Sequence, residues 1–178
     1  MAIEVLQWVG SGAVLLSTTA LGRKKADQYR NRPRDLRRLA ASLRALEADI
    51  QYARVPLQEA LERAGRQVAA SDSPVATLFH EAAAHLQNPG VTAQQAWERA
   101  VDEKFGSTSL SCEDREILLQ LGKHIGQTGP DEQVGHLEAA LALLDARERE
   151  AIDDRQRFER LYQTVGVLAG VLLVIFFI

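Results

Sequence analysis

The sequence holds a single cysteine, Cys112, so no disulfide can form within the chain, and a reducing compartment suits it. It has no Gly-x-x-x-x-Gly-Lys-Ser/Thr loop and no Gly-x-Gly-x-x-Gly turn, so no nucleotide-binding motif is present. No stretch alternates apolar and polar residues as a half-buried strand would, no Asn-Gly hairpin signal occurs, and no segment repeats at a fixed period. Aromatic residues are few, and Ala, Leu, Glu, Arg and Gln dominate, a composition that favours helix. These absences leave an all-α protein with no cofactor implied by motif.

Two long apolar runs stand at the ends of the 178 residues. From Val165 to Ile178 there is no charge and no strongly polar side chain. Helical patterning without proline runs into this stretch from His136. Met1 to Gly22 is also apolar and would span roughly 32 Å as a helix, close to a hydrocarbon core of about 30 Å. Residues 1–22 and 162–178 are therefore expected to be transmembrane helices. Gly166 and Gly170 form Gly-x-x-x-Gly, a spacing that lets helix backbones approach closely.

The formal net charge of −3 hides an asymmetry. Nine lysines and arginines lie between Arg23 and Arg44, against Asp27 and Asp35 alone. From Ala45 to Leu161 there are 12 basic and 21 acidic residues. Beside an apolar segment, such a basic block reads as a topology signal and a contact for anionic lipid head groups. A nucleic-acid tether is the other reading of a basic run, and nothing else in the chain favours it. Arg155, Arg157 and Arg160 precede the second apolar run, so both flanks are expected on the cytoplasmic side.

Between the ends, residues 33–161 read as one antiparallel bundle of five or six helices with short loops. Asn31-Arg32-Pro33-Arg34-Asp35 is expected to break one helix and begin the next, with Pro33 in its first turn. Leu36, Leu39, Leu43, Leu46, Ile50 and Ala53 then follow at spacings of 3, 4, 3, 4 and 3, a seam along one helix face. Val55-Pro56 ends that helix. Ser73 is expected to cap the helix opened by Pro74, and Thr92 with Gln95 forms a capping box. Gly126-Gln127-Thr128-Gly129-Pro130 stops the helix carrying Ile117, Leu118, Leu121 and Ile125. The last helix starts near Asp131, and its charged part, 146–156, is expected to be a solvated stalk.

Chemistry-bearing residues are sparse. His80-Glu81-Ala82-Ala83-Ala84-His85 looks at first like a zinc-protease motif, but the two histidines stand at i and i+5, about 140° apart around a helix. A metal-dependent hydrolase using His80, Glu81 and His85 is the enzymatic alternative, and it lacks a third ligand at recognisable spacing. His124 and His136 flank the Gly126–Pro130 loop and could form a polar patch. The residues alone point to a membrane-tethered helical bundle that is not an enzyme.

Several segments in order carry a resemblance: Arg32-Pro-Arg-Asp-Leu-Arg-Arg-Leu, Leu43-Arg-Ala-Leu-Glu-Ala-Asp-Ile-Gln-Tyr52, Val55-Pro-Leu-Gln-Glu-Ala60 and Ala96-Trp97-Glu98. With the Leu118–Gly126 stretch, Gln133, His136-Leu137 and the terminal apolar run, this order resembles the stage III sporulation protein AB family of endospore-forming bacteria. Gln127-Thr128-Gly129-Pro130 departs from the more acidic Gly-x-x-Asp expected there. The resemblance implies a soluble domain similar to the cytoplasmic F-domain of type II secretion and type IV pilus platform proteins. It implies a non-enzymatic platform or adaptor in the channel between mother cell and forespore, in the mother-cell membrane around the forespore. Its expected partners are a secretion-type ATPase, the channel's membrane components, the bilayer and a second copy of the chain. No catalytic, metal or cofactor residue follows from it. Arg34, Arg37, Arg38 and Arg44, with Glu47, are the expected partner-facing side.

Overall fold

Leu36, Leu39, Leu43 and Leu46 are all fully buried, so the leucine seam is a packing face over its first three turns. Each such side chain contributes about 1.5–3 kcal/mol of burial. The computed structural model describes residues 27–53, 55–68, 73–126 and 129–177, the stretch 159–177 as helical backbone alone. The first described helix, α1 (27–48), carries the seam and ends in a π-helical turn, Asp49–Ala53. Wider i→i+5 bonding rotates the face at this point. Ile50 is accordingly only half-buried, Ala53 is exposed, and Tyr52 projects with 78% of its surface free.

The break expected at residues 31–35 is absent: α1 runs through Pro33. Proline inside a helix removes one backbone bond and crowds the preceding turn. Here the turns on either side are pinned from outside. Tyr29 stacks on Phe158 with ring centroids 4.1 Å apart, Arg32 bonds to Asp114, and Asp35 accepts a hydrogen bond from the Ser109 backbone N–H at 2.9 Å.

Five further helices follow: α2 (Leu57–Gln67), α3 (Pro74–Leu86), α4 (Ala93–Lys104), α5 (Cys112–Gly122) and α6 (Pro130–Phe177). No strand occurs among the described residues. Each helix from α2 packs on the next in turn, and the π turn touches both α2 and α6. Side-chain pairs then fix α6 against α1: Tyr29 meets Phe158, Arg37 meets Glu148, and Arg44 meets Asp145. Residue numbers rise along α1 as they fall along α6, so the two run antiparallel. The charged 146–156 stretch is therefore not a free stalk. It lies against α1, with Ala151 buried and Glu148 paired.

Trp97 anchors the centre. It is fully buried, donates its indole N–H to the Leu118 carbonyl at 2.7 Å, and meets Phe79 edge-on. A close approach of α5 to α4 makes this possible, since a Cβ on Gly122 would lie 2.5 Å from the Trp97 ring. Gly126 has φ +75°, a conformation costly for other residues, and a Cβ there would strike that of Ala93.

After α1, helix starts follow the sequence, with one capping bond missing. The Thr92–Gln95 capping box is formed in both directions. Ser73 stands at the N-cap of α3, but its buried hydroxyl makes no hydrogen bond among the described residues. A second capping box, Ser111 with Asp114, opens α5.

The expected transmembrane segment 1–22 lies outside the described residues. That at 162–178 continues α6 as helical backbone to Phe177, while its side chains, Gly166 and Gly170 among them, lie outside what is described. Among the described residues, no helix is long and apolar enough to cross a membrane.

Candidate interaction surface

Five of the six described basic residues of the N-terminal block are spared a place in the core, but Arg32 is not. Its side chain is about nine-tenths buried, and Asp114 is wholly so. Arg32 Nε donates to Asp114 Oδ2 at 2.9 Å and Nη2 donates to Oδ1 at 3.0 Å, a bidentate fork. Nη2 also donates to Ser111 Oγ at 3.1 Å. Asp114 in turn accepts from the Ser111 backbone N–H at 2.8 Å. The hydrogen bonds donated to Asp114 raise the Arg32 pKa, opposed by burial and assisted by the charges of Asp114, Glu150 and Asp154. One carboxylate thus caps α5 and holds α1.

The five expected partner-facing residues divide. Arg37 reaches across to α6 and donates to Glu148 Oε1 at 2.8 and 2.9 Å. Arg44 donates to Asp145 at 3.1 Å. Both arginines stay more than half exposed, so these are surface pairs of modest strength. Arg34 is exposed, whereas Arg38 and Glu47 are half-buried. Among the described residues these three have no ion-pair partner.

Arg30, Arg34 and Arg37 stand on successive turns of α1 and, with Arg155 of α6, line an open groove of about 500 Å³. Asn31, Pro33, Ile152 and Gln156 complete its wall, so no carboxylate lines it among the described residues. The groove lies at the end of the bundle where α1 begins and where α6 continues toward its uncharged run. Arg155 is the member that sequence spacing alone did not join to the others, because it arrives from the opposite end of the chain.

The histidines separate. His80 is exposed on α3 and lies over Gly65 of α2, where a Cβ would come within 2.9 Å of the imidazole. His85 points to α4 instead, with Nε2 3.4 Å from Glu103 Oε2. Ligand atoms of Glu81, His85 and Glu103 lie within 4.8 Å of one another. Lys104 Nζ is 3.1 Å from Glu81, so a resident ammonium already balances one of those carboxylates. His80 and His85 therefore do not converge, and Glu103, 18 residues beyond His85, was not marked by any spacing. His124 and His136 do meet, their rings stacked with centroids 3.8 Å apart. Cys112 is exposed at the start of α5.

Comparison with known proteins covers nearly the whole chain. The family model described as stage III sporulation protein AB matches residues 7–178. The stage III sporulation protein AB of Bacillus subtilis (strain 168) is 33% identical over 171 residues, which is 96% of this chain and 98% of that protein. A solved structure of a stage III sporulation protein AB is similar with a TM-score of 0.65 and 33% identity, covering 70% of this chain and 96% of that one.

Proposed function

Since the chain belongs to the stage III sporulation protein AB family, we propose that it is a non-enzymatic, membrane-tethered platform in the channel between mother cell and forespore. It couples a cytoplasmic secretion-type ATPase to the channel's membrane components. The observation that carries this reading is the antiparallel pairing of α1 with α6. Tyr29 against Phe158 brings the start of the described chain beside the point where α6 heads into its apolar run. Two apolar ends leaving one end of a bundle form a two-point anchor. The remainder of the bundle then faces away from the bilayer, available for contact.

On this reading the contact for the ATPase lies on α1 away from the anchored end, at Arg38, Arg44 and Glu47. Arg34 and Arg37 form its membrane-proximal edge. Nothing in the chain's chemistry favours catalysis over contact: the His80/His85 alternative loses its shared face, since the two rings point to different neighbours.

The test is charge reversal at two surface arginines, R38E/R44E, in sporulating cells. The expected result is loss of ATPase retention and of heat-resistant spores, with the variant still folded and still in the membrane fraction. Unchanged retention and unchanged spore counts would remove the contact.

A further inference from the structure

Glu81 and His85 stand four residues apart on α3, so their side chains share one face, and Glu103 meets them from the last turn of α4. We propose that these three side chains bind a divalent zinc-class ion that ties α3 to α4. The site adds a ligand to the bundle and no reaction, and it does not depend on the membrane-tethered reading above.

Two observations point to a ligand here. The first is His85 Nε2, which is buried from solvent and has no hydrogen-bond partner among the described residues. Glu103 Oε2 lies 3.4 Å away but out of line for a hydrogen bond. A buried ring nitrogen left unsatisfied is costly, and a neutral imidazole nitrogen is a common metal ligand. The second is convergence: one ligand atom from each residue lies within 4.8 Å of the other two.

The spacing is close to that of a bound ion. Zinc held at about 2.0–2.2 Å by nitrogen and carboxylate oxygen sets tetrahedral neighbours about 3.3–3.5 Å apart. His85 Nε2 and Glu103 Oε2 already stand at such a distance. Glu81, partly exposed, closes the set by swinging about 1.5 Å at most, and water takes the fourth position. One imidazole with two carboxylates suits zinc, whereas magnesium and calcium favour sites made of oxygen alone. Lys104 is the competitor. Its Nζ stands 3.1 Å from Glu81 Oε2, and it must turn out to solvent when the ion enters.

The experiment uses the untagged full chain in nonionic detergent, stripped with a chelator and titrated calorimetrically with zinc, magnesium and calcium chlorides. One zinc ion per chain is expected, bound at least tenfold more tightly than magnesium or calcium. H85Q and E103Q should each weaken zinc by roughly tenfold or more, since even outer-shell partners are worth that much. K104Q should tighten it about fivefold, the weight of one unit charge a few ångströms away in water. C112S/H124Q/H136Q removes other groups that attract zinc and should bind as the unaltered chain does. Zinc should also raise the melting temperature of the unaltered chain and not that of E103Q. Zinc bound no more tightly than magnesium, or undiminished in H85Q and E103Q, overturns the proposal. Loss of zinc in C112S/H124Q/H136Q places the ion elsewhere and overturns it too. A K104Q chain that binds no more tightly removes Glu81 from the ligand set and overturns the three-residue site. The titration needs neither bilayer nor ATPase, so failure of the R38E/R44E test leaves it standing.

Discussion

Replacing Asp114 with alanine strands a buried cation. Asp114 has no exposed surface, and Arg32 loses both bonds of its fork, keeping Ser111 Oγ at 3.1 Å and Asp154 at 4.0 Å. Breaking a buried pair by removing one partner costs about 3–5 kcal/mol. Asp114 also satisfies the Ser111 N–H in the capping box of α5, a contribution of about 1 kcal/mol. Asp154 offers partial compensation, which places the total near 4 kcal/mol. For a domain of this size that is about 10–20 °C in melting temperature. The assay is thermal unfolding of the full chain in detergent, followed by circular dichroism at 222 nm. The double variant R32M/D114L should be less damaged than the two single changes summed, because no lone charge remains. D114A within about 1 kcal/mol of the unaltered chain would refute the assignment of this pair as the tie between α1 and α5.

Other consequences are smaller or more local. G122A should destabilise by about 1–3 kcal/mol, since Trp97 is fully buried and hydrogen-bonded and cannot retreat from a Cβ at 2.5 Å, with a shift in tryptophan emission as the readout. G106A, where a Cβ meets nothing within 4 Å, is the control and should leave emission and melting unchanged. T92A removes the cap of α4 and should cost about 1 kcal/mol by urea unfolding. R37A and R44A should each cost no more than about 1 kcal/mol in the same assay, because both ion pairs stand in solvent.

How much of this was legible beforehand differs by the range of the interaction. Local signals were sound: the leucines from 36 to 46, the Thr92–Gln95 box, Pro56, Pro74 and Gly126 all act where spacing placed them. The chain's membership in the stage III sporulation protein AB family was also visible, in the order of segments from Arg32 to Trp97. Two local readings gave way to tertiary contacts. Pro33 ends nothing because Tyr29, Arg32 and Asp35 are each held by distant partners. The 146–156 stretch reads as solvated by its charges, but Glu148 and Asp154 within it meet Arg37 and Arg32 of α1.

Long-range pairing had no signal at all. Ser111-x-x-Asp114 has the spacing of a cap, yet nothing in it foretells that Asp114 holds an arginine 82 residues earlier. The same holds for Glu103 beside His85 and for Arg155 in the groove. Each of these depends on which helices become neighbours, and periodicity along one helix does not encode that.

The central claim is a helical body fastened to the inner face of a membrane by both ends of its chain. Cys112, the single cysteine and an exposed one, is a built-in reporter of sidedness. Treating vegetative cells that express the chain in their plasma membrane with a membrane-impermeant maleimide should leave Cys112 unlabelled until the cells are permeabilised, with the labelled chain recovered in the membrane pellet. Labelling in intact cells, or recovery of the full-length chain in the soluble fraction, would contradict the account.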